Sequence, residues 1–233
     1  MTLRKGVLAR LTMKYKAVIF DLDGTLLDTL DDLTYAVNLV MTSRGLPVHT
    51  AEEVRGFVGD GASKLIERSM PEGTTSAEVA AATQEYKTAY SENMLRTSGP
   101  YPGISELIAS LHDGGRRVAV VSNKYATSTE SLCRRFFPEI DAVMGEAEER
   151  GIRRKPAPDM LLAVIHELGL DPSEIIYSGD SEVDIMTSEA AGVPCISVTW
   201  GFKSREFLKS HGARYIADTP ADIIRIADEL ERG

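Results

Sequence analysis

The sequence predicts an α/β protein, a doubly wound parallel sheet with an all-helical segment inserted into it. Three observations carry this. After residue 99, short β-branched runs alternate with amphipathic stretches, the pattern of strand–helix crossovers. Residues 29–98 show helical periodicity and no clear strand. An isolated run at 16–20, Lys16-Ala17-Val18-Ile19-Phe20, stops abruptly at Asp21-Leu22-Asp23-Gly24, as a buried strand does at the ligand-binding edge of an open sheet.

In chain order, the first strand occupies 16–20. Leu30 to Arg44 reads as a helix with Leu33, Val37 and Val40 on one face, ended by Gly45 and Pro47. Helices follow at 51–57, 61–70 and 77–95. Ser98-Gly99-Pro100-Tyr101-Pro102-Gly103 is a turn-rich return. The alternation then runs helix 103–113, strand 117–121, helix 127–136, strand 141–144, helix 157–168, strand 175–179, helix 183–191 and strand 195–199. A last strand, Tyr215-Ile216-Ala217, precedes a helix at 220–231, opened by Thr219-Pro220-Ala221-Asp222 with a capping Thr and Pro in the first turn. Gly169 and Gly192 stand where helix C-termini take a left-handed residue. The expected division is a discontinuous α/β core of 1–28 and 97–233 and a helical cap of 29–96, tethered at two adjacent points and placed as a lid over the strand ends. Met13-Lys14 looks like a natural start, so residues 1–12 are expected to be an extension without catalytic importance.

Composition narrows the function classes. The chain has 233 residues, 43% of them hydrophobic, enough for a sizeable core. Its net charge of -9 argues against non-specific binding to nucleic acid or an anionic membrane. No apolar run approaches the roughly 18 residues of a membrane span, and the N-terminus lacks the apolar core and cleavage site of a signal peptide. Cys133 and Cys195 sit in apolar contexts and are expected to be buried and reduced. The expectation is a cytoplasmic monomer or homodimer acting on a small metabolite.

Four strand ends carry polar groups suited to chemistry. They are Asp21-Leu22-Asp23-Gly24-Thr25, Ser122-Asn123-Lys124, Lys155-Pro156 in a loop before a helix, and Gly179-Asp180-Ser181-Glu182-Val183-Asp184. Parallel topology brings these ends to one side of the sheet. Asp21 and Asp23 share a face of an extended strand, because side chains alternate. Like charges so close repel unless a cation lies between them or one is protonated.

Together these segments resemble the four motifs of the haloacid dehalogenase superfamily of phosphotransferases, over residues 16 to about 200. The helical insert is similar to the cap of that superfamily's first subclass. Val54-Arg55-Gly56-Phe57-Val58-Gly59-Asp60-Gly61 with Leu65-Ile66-Glu67-Arg68, and Lys155-Pro156-Ala157-Pro158-Asp159, look like phosphoglycolate phosphatases. The resemblance implies a Rossmann-like core and Mg²⁺-dependent phosphomonoester hydrolysis, with 2-phosphoglycolate as the best single substrate. It makes Asp21 the nucleophile that forms an aspartyl-phosphate, and Asp23 the general acid and then base. Thr25 and the amides around Leu22, Asp23 and Asn123 would cradle phosphoryl oxygens, with Ser122 donating to one. Lys155 would neutralise the transferring group and hold Asp21. Asp180, Asp21 and the carbonyl of Asp23 would ligate Mg²⁺, with Asp184 orienting that sphere or its waters.

Arg55, Gly59, Gly61 and Lys64 are the candidates for substrate selection in the cap. Gly59-Asp60-Gly61-Ala62-Ser63-Lys64 is not a nucleotide-binding P-loop, since Ser63 precedes Lys64. Asp28, Asp31 and Asp32 read as a solvated helix start, and His49, His112, His166 and His211 as surface or structural. Trp200-Gly201-Phe202 follows the last core strand and is expected to pack, with lining of the cap-facing mouth as the alternative. A sugar-phosphate mutase of this superfamily would carry His twelve residues after the nucleophile, where Leu33 stands. Pyrophosphatase, broad sugar-phosphate phosphatase and phosphonate hydrolase activities remain alternatives, as does, from another class, a non-catalytic phosphoacceptor module.

Overall fold

The computed structural model describes residues 13–232; the expectation for residues 1–12 lies outside the described residues. The chain forms β1 (Ala17–Phe20) and a short β2 (Leu27–Asp28), then four helices, α1 (Leu30–Ser43), α2 (Ala51–Phe57), α3 (Ala62–Ser69) and α4 (Ser76–Asn93). After a short β3 (Gly99–Pro100) come α5 (Ile104–Asp113), β4 (Arg117–Tyr125), α6 (Ala126–Phe136), β5 (Ala142–Glu146), α7 (Asp159–Glu167) and β6 (Ile175–Gly179). The chain continues through α8 (Glu182–Ala191), β7 (Cys195–Val198), α9 (Arg205–Ser210), β8 (Tyr215–Ala217) and α10 (Pro220–Arg232). Among the described residues no helix is long and apolar enough to cross a membrane.

Six strands form one parallel sheet in the order β5-β4-β1-β6-β7-β8. Strand β1 lies between β4 and β6, where the connections diverge and leave a crevice at the C-terminal strand ends. Its side chains alternate between two cores. Val18 and Phe20 pack with α5, α6 and α10, while Ala17 and Ile19 pack with α7 and the end of α8. Burial on both faces explains why β1 is apolar throughout rather than alternating.

Helices α1–α4 enclose a third apolar cluster of their own, built on Leu33, Val37, Val54, Ile66, Tyr86 and Tyr90. One core residue, Phe202, joins it. Helices α2 and α4 each start with a capping box, Thr50 with Glu53 and Thr75 with Glu78.

The structure departs from the sequence expectation in three places. Strand β4 runs on to Tyr125, and its register against β5 breaks between Val121 and Tyr125. A regular hydrophobic run signals only the part that pairs evenly, so the polar Ser122-Asn123-Lys124 extension was not expected as strand. Helix α9, six residues opened by a Ser204 cap, carries one buried residue, Leu208, and so lacks a detectable periodicity. The third departure is Asp32. It is 1% exposed and not a solvated residue. Its carboxylate accepts from the backbone N–H and the hydroxyl of both Thr97 and Ser98, at 2.7–3.1 Å.

With the antiparallel pairing of Leu27 to Pro100 and Asp28 to Gly99, Asp32 ties the two ends of the helical insert together. Burial disfavours its charge, but the Thr97 and Ser98 bonds outweigh that and hold the carboxyl below its ordinary range. Asp32→Asn replaces one acceptor oxygen by a donor facing donors, and is expected to cost roughly 1–3 kcal/mol at pH 7. A depressed folded-state value means stabilisation that is present above the unfolded value, near 3.9, and lost as pH falls through the folded one. Urea unfolding of the two proteins should therefore give midpoints that converge as pH drops from 7 towards 3. A constant gap would contradict an ionised Asp32.

Candidate active site

The first carboxylate pair is delivered by the end of β1. Asp21 N–H makes the last ladder bond, to Ser178 at 2.9 Å, and the chain then turns back on itself, with Leu26 and Leu27 both donating to the Leu22 carbonyl at 3.0 Å. Gly24 takes φ of 79° in this turn, and a Cβ there would collide with the Asp180 carboxylate. Glycine thus lets the β1 and β6 ends approach. Gly201 does the same from the other side, since a Cβ there would strike the Gly24 carbonyl and Asp180.

Lys155 sits at the centre of the charge cluster, 2% exposed. Its Nζ lies 2.9 Å from Asp21 Oδ1 and 2.7 Å from Asp184 Oδ1, and donates to Tyr177 Oη at 3.1 Å. Asn123 holds the Lys155 backbone in place, its Oδ1 accepting from Lys155 N–H and its Nδ2 donating to the Lys155 carbonyl, both at 2.9 Å. Burial alone would lower the Lys155 pKa, but Asp184 and Asp21 outweigh it and hold the ammonium above its usual range. Asp184, fully buried, accepts from Tyr177 and Lys155 on Oδ1 and from the Ser181 N–H and hydroxyl on Oδ2. Its hydrogen-bonding capacity is largely filled, so Asp184 holds Lys155.

Asp21, Asp180 and Asp184 each offer a carboxylate oxygen within 4.8 Å of the others. Burial, opposed by Lys155 and reinforced by Asp184 and Asp23, pushes the Asp21 carboxyl up to about 7. Asp180 is pushed well above its ordinary value by burial and then by Asp184 and Asp21. The cluster is thus under-compensated, with one ammonium among three buried carboxylates, and its donors are hard oxygens suited to a divalent cation. Asp180 is fixed by the Phe202 N–H at 2.6 Å and the Thr25 hydroxyl at 3.3 Å. Both bonds to Asp21, from Leu22 N–H and Lys155, fall on Oδ1, and among the described residues Oδ2 has no partner.

Asp23 is set apart. Its Oδ1 accepts from Thr29 Oγ1 at 2.7 Å and its Oδ2 faces Lys124 Nζ at 3.0 Å. Lys124 in turn donates to Tyr90 Oη of α4 at 2.8 Å, a direct bond between the sheet and the helical segment. A second such bond runs from Asn123 Nδ2 to the Gly59 carbonyl at 3.1 Å. These contacts border a cavity of about 60 Å³ between the strand ends and the helices, lined by Asp21, Asp23 and Asp180 on one side and by Leu33, Tyr86 and Tyr90 on the other.

Of the residues expected from sequence, Asp21, Asp23, Ser122, Asn123, Asp180, Gly59 and Gly61 line this cavity, and Lys155 and Asp184 stand behind Asp21. Thr25 is fully buried and its hydroxyl is directed to Asp180, away from any phosphoryl group in the cavity. Arg55 and Lys64 are outside the lining. Arg55 pairs with Glu52 at 3.3 Å and Lys64 with Glu67 at 2.6 Å, on exposed helix faces. Sequence reasoning assigned no role to Lys124, Tyr86, Tyr90 or Tyr177. Lys124 was visible as the third residue of Ser122-Asn123-Lys124, and Tyr86 and Tyr90 as an i, i+4 aromatic pair. Trp200-Gly201-Phe202 packs as expected and also anchors the site, since Trp200 Nε1 donates to the Thr25 carbonyl at 3.0 Å.

Comparison with known proteins identifies relatives over more than nine-tenths of the chain. The family described as haloacid dehalogenase-like hydrolase matches residues 18–198. An N-acetylmuramic acid 6-phosphate phosphatase from Pseudomonas aeruginosa is 34% identical over 93% of this chain and 96% of its own length. A phosphoglycolate phosphatase from Mesorhizobium japonicum is 30% identical over 94% of this chain and 98% of its own. The crystal structure of a Lactobacillus delbrueckii subsp. bulgaricus protein, assigned as a phosphoglycolate phosphatase, superposes with a TM-score of 0.86 at 36% identity, covering 92% of this chain and 99% of that one.

Proposed function

Because the chain belongs to the haloacid dehalogenase-like hydrolase family and is a phosphatase, we propose that it hydrolyses small phosphomonoesters through an aspartyl-phosphate on Asp21, with Mg²⁺ as cofactor and 2-phosphoglycolate as its preferred substrate. The observation that carries the reading is the Lys155–Asp21 pair at 2.9 Å, with Asp21 and Asp180 lining one cavity. Asp21 Oδ2, without a partner among the described residues, attacks phosphorus, and the ester P–O bond breaks. The departing alkoxide takes a proton from Asp23. Asp23, again a base, then removes a proton from the water that attacks the aspartyl-phosphate, releasing phosphate and regenerating Asp21. Thr29 and Lys124 fix the orientation of Asp23 for both transfers. Ser122 and the Asp23 N–H meet phosphoryl oxygens, while the Lys155 charge, held on Asp21, offsets the developing negative charge from behind the nucleophile.

Asp21, Asp180 and the Asp23 carbonyl would hold Mg²⁺, which supplies positive charge against the phosphoryl oxygens and the crowded carboxylates. Residues 29–96 act as a cap that excludes water from this chemistry, with the Asn123–Gly59 and Lys124–Tyr90 bonds holding it shut. The 2-phosphoglycolate preference draws on the relatives of that name. A sugar 6-phosphate is the second reading, favoured by the 34% identity to the N-acetylmuramic acid 6-phosphate phosphatase.

A screen of phosphate release from 2-phosphoglycolate, N-acetylmuramic acid 6-phosphate, hexose phosphates, nucleotides and pyrophosphate, with Mg²⁺ or with chelator, tests this. The highest kcat/KM is expected for 2-phosphoglycolate, with activity lost on chelation. Undiminished turnover in chelator would overturn the metal assignment, and a hexose or muramic acid phosphate ranking first would overturn the substrate.

A further inference from the structure

Lys124 is a buried cation whose contact with Asp23 uses only part of its hydrogen-bonding capacity. Its side chain is 5% exposed, and its Nζ lies 3.0 Å from Asp23 Oδ2, 2.8 Å from Tyr90 Oη and 4.1 Å from the centre of the Tyr90 ring. An ammonium has three N–H donors. Asp23 and Tyr90 take two, and among the described residues the third has no protein acceptor, although Lys124 lines the cavity. Tyr90 is 1% exposed and accepts from Lys124, and its own hydroxyl proton likewise has no acceptor among the described residues. Tyr86 stacks on Tyr90 at 5.8 Å and lines the same cavity.

Beside Asp23, which takes one Lys124 donor, the lining also contributes the apolar side chains of Leu33, Val58, Leu65 and Phe202. Two buried donors converging beside apolar side chains recognise an anionic oxygen pair strongly, since charge-assisted bonds gain from low dielectric and water is excluded. Position decides which part of a substrate they meet. Lys155 contacts Asp21, whereas Lys124 contacts Tyr90 and Asp23, the residue to which the proposed chemistry assigns protonation of the leaving oxygen. The other cation in the lining, Lys203, is half-buried and lies over the Phe207 ring at 5.2 Å.

We propose that Lys124 and Tyr90 form a subsite for a carboxylate on the leaving group, so that the enzyme selects phosphomonoesters of short hydroxy acids. Lys124 comes from the core and Tyr90 from the cap, so a carboxylate between them is held only when the cap is closed. Recognition of the leaving group and closure are then one event. The inference rests on the hydrolase reading of Asp21, which makes Asp21→Asn a substrate trap.

The test is calorimetric titration of Asp21→Asn with Mg²⁺, using 2-phosphoglycolate, ethyl phosphate (the same length without a carboxylate) and inorganic phosphate. The trap is expected to bind 2-phosphoglycolate at least about tenfold more tightly than ethyl phosphate, the worth of one charge-assisted bond. Adding Lys124→Met should remove that preference, weakening 2-phosphoglycolate about tenfold or more and the other two ligands by less than about threefold. Tyr90→Phe, a milder change should Lys124→Met fail to fold, is expected to weaken 2-phosphoglycolate alone by about threefold to fivefold. Equal losses for all three ligands would show that Lys124 serves only to hold Asp23, and would overturn the subsite. So would a trap with no preference for the carboxylate. Turnover of 2-phosphoglycolate by the trap itself would instead count against the Asp21 mechanism, and is read separately as released phosphate.

Discussion

Asp21→Asn is expected to lose hydrolysis almost completely while gaining stability in metal-free buffer. Removing the nucleophile of a covalent mechanism costs roughly 10⁴–10⁶ in kcat, because no neighbouring group takes its place. Asp23 is engaged with Thr29 and Lys124, and Asp180 with Phe202 and Thr25. The stability gain follows from the same crowding that suits Asp21 to a metal. Its carboxyl is pushed up to about 7, chiefly by burial and then, against Lys155, by Asp184 and Asp23. A raised folded-state value means that ionisation costs stability, a cost that grows from about pH 4, the unfolded value, to pH 7 and is constant above it. Asparagine keeps the shape and an acceptor for Lys155 without the charge. At pH 8 in chelator, Asp21→Asn should therefore unfold later, by on the order of 2–4 kcal/mol. Mg²⁺ should stabilise the native protein by binding the folded state, and stabilise the variant much less. Thermal melts of both proteins, with chelator and with Mg²⁺, distinguish the outcomes. A variant less stable than the parent in chelator would show that Lys155 already neutralises the site. A melt unchanged by Mg²⁺ would argue that no cation binds among these carboxylates.

The parts of this site that could be read from sequence are those written by strand ends. Asp21 and Asp23 follow an uninterrupted apolar run, Asp180 follows Ile175-Ile176-Tyr177, and a parallel sheet carries all such ends to one edge. Local chemistry and topology agree there, so both the fold and the core residues were accessible. What was not accessible depends on pairing across the cap. Tyr90 and Lys124 are 34 residues apart, and the helix carrying Tyr90 has apolar residues spread around it with no strong stripe, so its inner face could not be chosen. Asp32 looked like an ordinary acid in the first turn of a helix, because nothing local shows that Thr97 and Ser98 fold back to surround it. Arg55 and Lys64 failed as candidates for a similar reason. Each has an acid three residues away on its own helix, which takes the charge along the exposed face. Thr25 sits in a motif read as phosphate-binding, but the turn at Gly24 points its hydroxyl to Asp180.

Lys155→Met is expected to be among the most damaging substitutions for folding, and Asp184→Asn to repair part of the damage. Methionine fills the space of the lysine stem but leaves Asp21, Asp180 and Asp184 as three buried carboxylates without a central cation. Breaking a buried pair by removing one partner costs about 3–5 kcal/mol. The cost should be pH-dependent, because the carboxylates escape it by binding protons. Without Lys155 the folded-state values of Asp21 and Asp180 rise further, so stability falls as pH climbs through and above the ordinary carboxylate range. The Lys155→Met protein should approach the parent near pH 4 and separate from it by pH 8. Asp184 is the nearer carboxylate, at 2.7 Å against 2.9 Å for Asp21. In the double variant Lys155→Met/Asp184→Asn the uncompensated charge is reduced, and the two losses are expected to be sub-additive by about 1–3 kcal/mol. Activity should not follow stability back. Phosphate turnover in the double variant stays down by at least about 10²–10³, the usual cost of removing one donor aimed at developing charge. Urea titrations of the four proteins of this cycle at pH 4 and pH 8, with turnover measured on each, separate holding the fold from stabilising the reaction. Additive losses at pH 8 would show that Asp184 and Lys155 act independently despite their contact. Recovery of activity along with stability would show that the Lys155 charge is structural alone, and that phosphoryl neutralisation falls to the metal and the backbone amides.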